Sequence, residues 1–165
     1  AADVTAPTVT STLPLSNAIN VSTSATVSAI MSEALNAATV TTGTVLLNAG
    51  ATSITAIVSY NAGTNTITLT PSAALSNNTV YTATIKSGAS GVKDEAGNAL
   101  AADYVWSFTT AADVTAPTVS STSPLTNATG VATSATVTAI MSEALNAATV
   151  TTGTVLLNAG ATSIT

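Results

Sequence analysis

The chain has 165 residues and a net charge of −5, seven acids (Asp3, Glu33, Asp94, Glu95, Asp103, Asp113, Glu143) standing against Lys86 and Lys93. Without Arg or His it lacks the clustered cations of a nucleic-acid binder, and without Cys or His it lacks a thiolate nucleophile, a zinc-thiolate site and the usual imidazole base. Charged residues make up 5% and hydrophobic ones 46%, but no apolar run approaches the roughly 20 residues of a membrane span, so membrane insertion is not expected.

Taken in order, the chain opens on a linker that ends at Pro7, whose fixed φ stiffens the approach to a first strand over 8–12. Pro14, Ser16, Asn17 and Asn20 read as a turn region. A second strand over 24–32 alternates, with Ala25, Val27, Ala29 and Met31 on its inward face. Residues 33–42 break the β pattern and predict a short helical turn. A third strand over 44–47 reverses at Asn48-Ala49-Gly50 into a fourth over 53–60, with Ile54, Ala56, Val58 and Tyr60 inward. The loop Asn61–Asn65, with Gly63 supplying positive φ, makes a hairpin with a fifth strand over 66–70 that places Ile67 and Leu69 inward. The sixth strand, 79–86, aligns Tyr81, Ala83 and Ile85. A long polar loop over 87–102 then leads to the last strand, 103–110, with Tyr104, Trp106 and Phe108 on one face. Seven strands in about 110 residues, an aromatic last strand facing a small-residue second strand, predict an all-β, seven-stranded immunoglobulin-like sandwich with Trp106 at the centre of its core.

The sequence then starts again. Residues 111–165 repeat 1–55 with 48 of 55 positions identical; the differences are Thr10/Ser120, Leu13/Ser123, Ser16/Thr126, Ile19/Thr129, Asn20/Gly130, Ser22/Ala132 and Ser28/Thr138. Two of them, Leu13/Ser123 and Ile19/Thr129, exchange apolar for polar and are expected at the surface. Residues 1–110 therefore read as one complete unit and 111–165 as the first half of a second, in tandem. A half sandwich leaves its core face and a sheet edge open. The expectation is that further chain completes it; completion by a neighbouring molecule is the alternative. The weakly charged exterior points to units packing on one another.

Several segments resemble a known family. The run 75–81 (Leu75, Ser76, Asn77, Asn78, Thr79, Val80, Tyr81) is similar to the tyrosine corner of immunoglobulin and fibronectin-type sandwiches. The segments 3–9 and 113–119, 32–36, 92–100 and 106–110 resemble the tandem Ig-like repeats of bacterial adhesins, surface-layer-associated proteins and extracellular fibres, and together they cover essentially the whole chain. The resemblance implies a bacterial extracellular or cell-surface location and a structural role: the shaft of a fibre or adhesin, self-associating into a fibre, with no enzymatic activity. Two other roles remain open, an adhesive module contacting a host or surface glycan or protein, and an accessory domain of a secreted enzyme.

In a sandwich of this order the loops after the second, fourth and sixth strands gather where the chain enters. Some arrays of this family are stiffened by calcium at their junctions through the linker aspartate, which the resemblance carries to Asp3 and Asp113. Topology extends the candidate ligand set to Glu33, Asp94 and Asn98, hard oxygen donors that suit Ca2+. The plainer alternative is that Asp94 and Asn98 form a turn around Gly97 and Glu33 caps the short turn. Apart from this calcium no cofactor is expected. A carboxylate pair for glycoside hydrolysis would lack a deep pocket and a sugar platform, since Tyr60, Tyr81, Tyr104, Trp106 and Phe108 all fall on inward registers.

Overall fold

Branched and aromatic residues alternating with threonine become nine strands within the first 110 residues of the computed structural model, which describes residues 2–164. They are β1 (Val9–Leu13), β2 (Ala18–Val21), β3 (Val27–Met31), β4 (Val45–Ala49), β5 (Thr52–Ser53), β6 (Ala56–Asn61), β7 (Thr66–Pro71), β8 (Val80–Ile85) and β9 (Tyr104–Thr110). One sheet has the order β1-β3-β7-β6 and the other β2-β9-β8-β4-β5; every pairing is antiparallel except β2 with β9. The expected all-β sandwich is present, with two short strands more than seven. The predicted strand over 53–60 divides at Ile54, its start hydrogen-bonded in one sheet as β5 and the rest crossing to the other as β6. Residues 14–20 are not only a turn: after Pro14 the chain changes sheets and lays β2 alongside β9, with Ala18 opposite Phe108 and Val21 opposite Thr110. In the β6–β7 hairpin the positive φ falls on Asn65 (49°), not on Gly63.

Inward registers of both sheets meet in one core. Val27, Ala29 and Met31 of β3 and Ile67 and Leu69 of β7 face Val45, Leu47, Tyr81, Ala83, Ile85, Trp106 and Phe108. Burial of each large side chain contributes about 1.5–3 kcal/mol. Tyr81 and Phe108 stack with centroids 5.8 Å apart and are the largest fully buried side chains. Trp106 lies in the same core as expected, but its indole N–H is buried without an acceptor, so the stacked pair is the better-satisfied centre. The tyrosine corner is formed: the Ser76 N–H donates to the Tyr81 hydroxyl at 2.8 Å. Buried Thr110 closes the same corner, donating to the Ser76 carbonyl at 2.6 Å and accepting from the Thr79 N–H at 3.0 Å.

The chain divides into two units, Ala1–Asp113 and Val114–Thr165. In the second, β10 (Val119–Ser123) pairs with β11 (Thr138–Met141) and β12 (Leu157–Ala159) with β13 (Thr162–Ile164), as separate two-stranded sheets. The β10–β11 register, Val119 opposite Met141 with a shift before Ser121, reproduces that of β1–β3. The 3-10 turn Ala147–Thr149 with its Asn146 cap likewise reproduces Ala37–Thr39 with Asn36. The counterpart of β2 forms no strand, because in the first unit β2 pairs only with β9.

Candidate functional site

Three segments converge at the pole where the chain enters the first unit. The linker is pinned to the end of β3, since the Ser32 N–H donates to the Thr8 carbonyl (2.8 Å) and the Thr8 N–H to Ser32 Oγ (2.9 Å). Glu33 follows directly. The third segment is the 92–100 ribbon between β8 and β9, held by bridges between Leu35 and Asp94 and between Lys93 and Ala99. Val92 and Leu100 anchor it in the core, so this stretch is not the purely polar loop that its sequence predicts. Its start is tight: a Cβ on buried Gly91 would collide with the carbonyls of Lys86 and Ser87.

Within the ribbon, Asp94 is 1% exposed. Its Oδ1 accepts from the Asn98 N–H and its Oδ2 from the Asn98 Nδ2, both at 2.7 Å. The same Asn98 amide donates to the Asp3 carbonyl at 3.2 Å, tying the ribbon to the linker. Asp3 in turn accepts from the Thr5 N–H at 2.9 Å. One carboxylate oxygen from each of Asp3, Glu33 and Asp94 lies within 4.8 Å of the others, and Glu95 lines the same open depression. The turn reading of Asp94 and Asn98 around Gly97 (φ 96°) therefore holds together with the clustering. The short turn, by contrast, is capped by Asn36 rather than by Glu33.

Electrostatics separate the two inner carboxylates. Burial pushes the Glu33 carboxyl up, and the neighbouring charges of Asp3 and Asp94 push it further. Burial also acts to raise Asp94, but the hydrogen bonds from the Asn98 side chain and from the backbone of Asn98, Gly97 and Ala96 outweigh it, so Asp94 stands below the usual aspartate value. Three like charges with this donor set are chemically suited to a divalent cation held by oxygens. The ligand set expected from sequence is thus brought together for Asp3, Glu33, Asp94 and Asn98. Among the described residues the three-carboxylate group is formed by Asp3, Glu33 and Asp94, and Asp113 is the counterpart of Asp3 in the linker to the second unit. The sequence reading missed Thr39, whose hydroxyl accepts from the Lys93 N–H at 3.1 Å and locks the ribbon to the 3-10 turn. A lone threonine among many carries no signal for such a contact.

Residues 3–110 and 113–165 match the bacterial Ig-like domain family. The chain belongs to this family. No curated protein matches it. Among solved structures, this Ig-like chain is similar to surface layer protein SbsC, domains 1–6, at 19% identity over 71% of its own length and 15% of that chain, with a TM-score of 0.49. The S-layer protein rSbsC(31-844) gives 21% identity over 70% and 15%, TM-score 0.47. The N-terminal part of SbsC gives 19% over 70% and 26%, TM-score 0.49. The Ig-like chain thus spans between 15% and 26% of the length of these structures.

Proposed function

We propose that this Ig-like chain is a stretch of the shaft of an extracellular bacterial fibre or surface adhesin, built of tandem sandwich units joined through Asp3–Pro7-type linkers. The observation that carries this reading is the repeat itself, 48 of 55 positions identical at the second occurrence. Repeating one unit serves length and spacing, and each unit adds a few nanometres, about seven strand residues at ~3.3 Å plus loops. A second property agrees with it: the outward registers of β7 and β8 carry Thr66, Thr68, Thr70, Thr82 and Thr84 rather than charges, a surface that permits lateral association. The reading is tested by electron microscopy of the product of the full reading frame. Filaments with a regular axial repeat of a few nanometres are expected; isolated flexible strings that decorate a glycan or protein ligand would replace the shaft by an adhesive module.

Within that role, the Asp3–Glu33–Asp94 pole is read as a calcium site that stiffens the approach of the linker. Three carboxylates from linker, strand end and ribbon would be drawn together by the ion instead of repelling one another.

A further inference from the structure

The two sheets of the first unit end in the edge strands β1, β6, β2 and β5, and all but β6 carry a feature that keeps an edge from pairing with another chain. β1 is bulged between Val9 and Ser11 and flanked by Pro7 and Pro14. β2 has four residues with a register shift, and β5 has two. β6 runs for six residues, Ala56–Asn61, in unbroken register with β7, and contains neither proline nor charge. No charged residue lies between Glu33 and Lys86. Among the described residues no strand pairs with the other edge of β6. This edge belongs to the unit that the family match spans from 3 to 110. The chain enters and leaves that unit at the ends of its strands, through Thr8 beside Ser32 and through Ala111 beside Val21 and Asn78, and not along β6.

Backbone alternation decides which groups this edge offers. The Ser72 N–H donates to the Thr55 carbonyl at 2.9 Å, and opposite Ala56 stands Pro71, which has no N–H. Antiparallel pairs alternate, so Ile57, Ser59 and Asn61 use their N–H and C=O groups on β7, while those of Ala56, Val58 and Tyr60 point out from the sheet edge. The side chains of these last three take the inward register but are only half-buried, whereas Ile67 and Leu69 of β7 are 0% and 2% exposed. Ala56 and Val58 border an open apolar cleft of about 250 Å³ between the two sheets, shared with Val45, Leu47, Ile54 and Leu69.

We propose that β6 is a pairing edge for β6 of a second copy of this chain, the two strands running antiparallel about a two-fold axis at Val58. In that register Ala56 faces Tyr60 of the other copy, Val58 faces Val58 and Tyr60 faces Ala56, so every outward N–H and C=O of these residues finds a partner. A shift by two residues in either direction leaves one of them unpaired, and a shift by one sets outward groups against groups already turned to β7. The register also places the small Ala56 against the large Tyr60, and Val58 of each copy beside the cleft that Val58 of the other borders. The two four-stranded sheets become one continuous sheet, through a self-complementary contact between two copies. The stretch carries no charge to oppose this approach. The pairing rests on the edge of one unit and not on the fibre reading: chains that build no filament would still pair, and filaments could form without it.

The absence of cysteine allows a direct test on the full chain. Ile57 and Ser59 are exposed, and in this register Ile57 of one copy stands opposite Ser59 of the other in a non-hydrogen-bonded pair, with Cα atoms about 4.5 Å apart and within disulfide reach. Oxidation of an equimolar mixture of Ile57→Cys and Ser59→Cys chains is expected to give the mixed covalent dimer in about tenfold excess over either homodimer, whose cysteines stand two residues out of register. Sedimentation of the unsubstituted chain should show a concentration-dependent dimer. Val58→Pro removes an N–H that bonds nothing within the unit, and Ile57→Lys sets a charge at an exposed position of the edge. Each should abolish the dimer while the unit still melts cooperatively. Should Val58→Pro unfold the unit, Ile57→Lys, at a position 66% exposed, carries the test alone. A chain that stays monomeric at every concentration, homodimers that equal or exceed the mixed product, or a dimer that survives either substitution in a folded chain would each overturn the proposal.

Discussion

At the scale of single residues, Glu33 is the most informative group. Its folded-state pKa is raised, by burial first and then by Asp3 and Asp94, so the folded chain binds this proton more readily than the unfolded one. Stability from this group is therefore fully present below the usual glutamate range and falls as pH rises through the raised value. Glu33→Gln should raise the melting temperature at neutral pH in the absence of divalent cations, and the gain should vanish below about pH 4. Calcium should reverse the order, with the wild type gaining and an Asp3→Asn/Glu33→Gln chain not; a wild-type melting curve indifferent to both calcium and chelator would end the calcium reading. Asp94 has the opposite sign: its lowered pKa contributes stability above the usual aspartate value that is lost as pH falls through the folded one. Tyr81→Phe leaves the Ser76 N–H without its acceptor and should cost about 1–3 kcal/mol in urea unfolding with the denaturant slope unchanged. The tyrosine corner could be read from the sequence because its pattern is local. The Thr110 and Thr39 contacts could not, because each joins residues more than thirty positions apart.

Strands were readable from sequence wherever alternation extended over five or six residues, as in β3, β7, β8 and β9. Their period of two both marks the element and assigns its buried face. Shorter elements were not. β2 has four residues with Ile19 turned outward, and it is a strand only because β9 lies beside it. The 92–100 ribbon carries acids, Gly and Asn that read as loop, while Val92 and Leu100 hold it in the core. Gly91, where the ribbon starts, admits no side chain, and Gly91→Ala should destabilise by about 1–3 kcal/mol through the displaced carbonyls of Lys86 and Ser87. Central β7 links β3 to β6, so Ile67→Ala, which empties a fully buried position, should cost about 2–5 kcal/mol in the same unfolding measurement.

On the scale of the whole chain, the two units amount to a controlled comparison of one sequence in two settings. With the 56–110 half present, residues 1–55 contribute strands to both sheets of a sandwich. Without it, 114–164 keeps only its neighbouring-strand pairs and the capped 3-10 turn. A peptide of residues 111–165 should accordingly show no cooperative thermal transition by circular dichroism, whereas residues 1–113 should melt as one unit. A sharp transition in the peptide would mean that the half sandwich closes on itself.

The sequence by itself determined the fold class, the 110-residue period, the inward registers and the gathering of Asp3, Glu33, Asp94 and Asn98 at one pole. The period follows from the near-identity of 111–165 with 1–55, and the others from period-two patterning and chain order. Tertiary structure decided which segments count as strands when they are too short to show a period, and which carboxylate is buried and hydrogen-bonded. The physical reason is the same in each case: pairing and burial depend on a partner distant in sequence, and a local pattern offers a face without supplying what covers it.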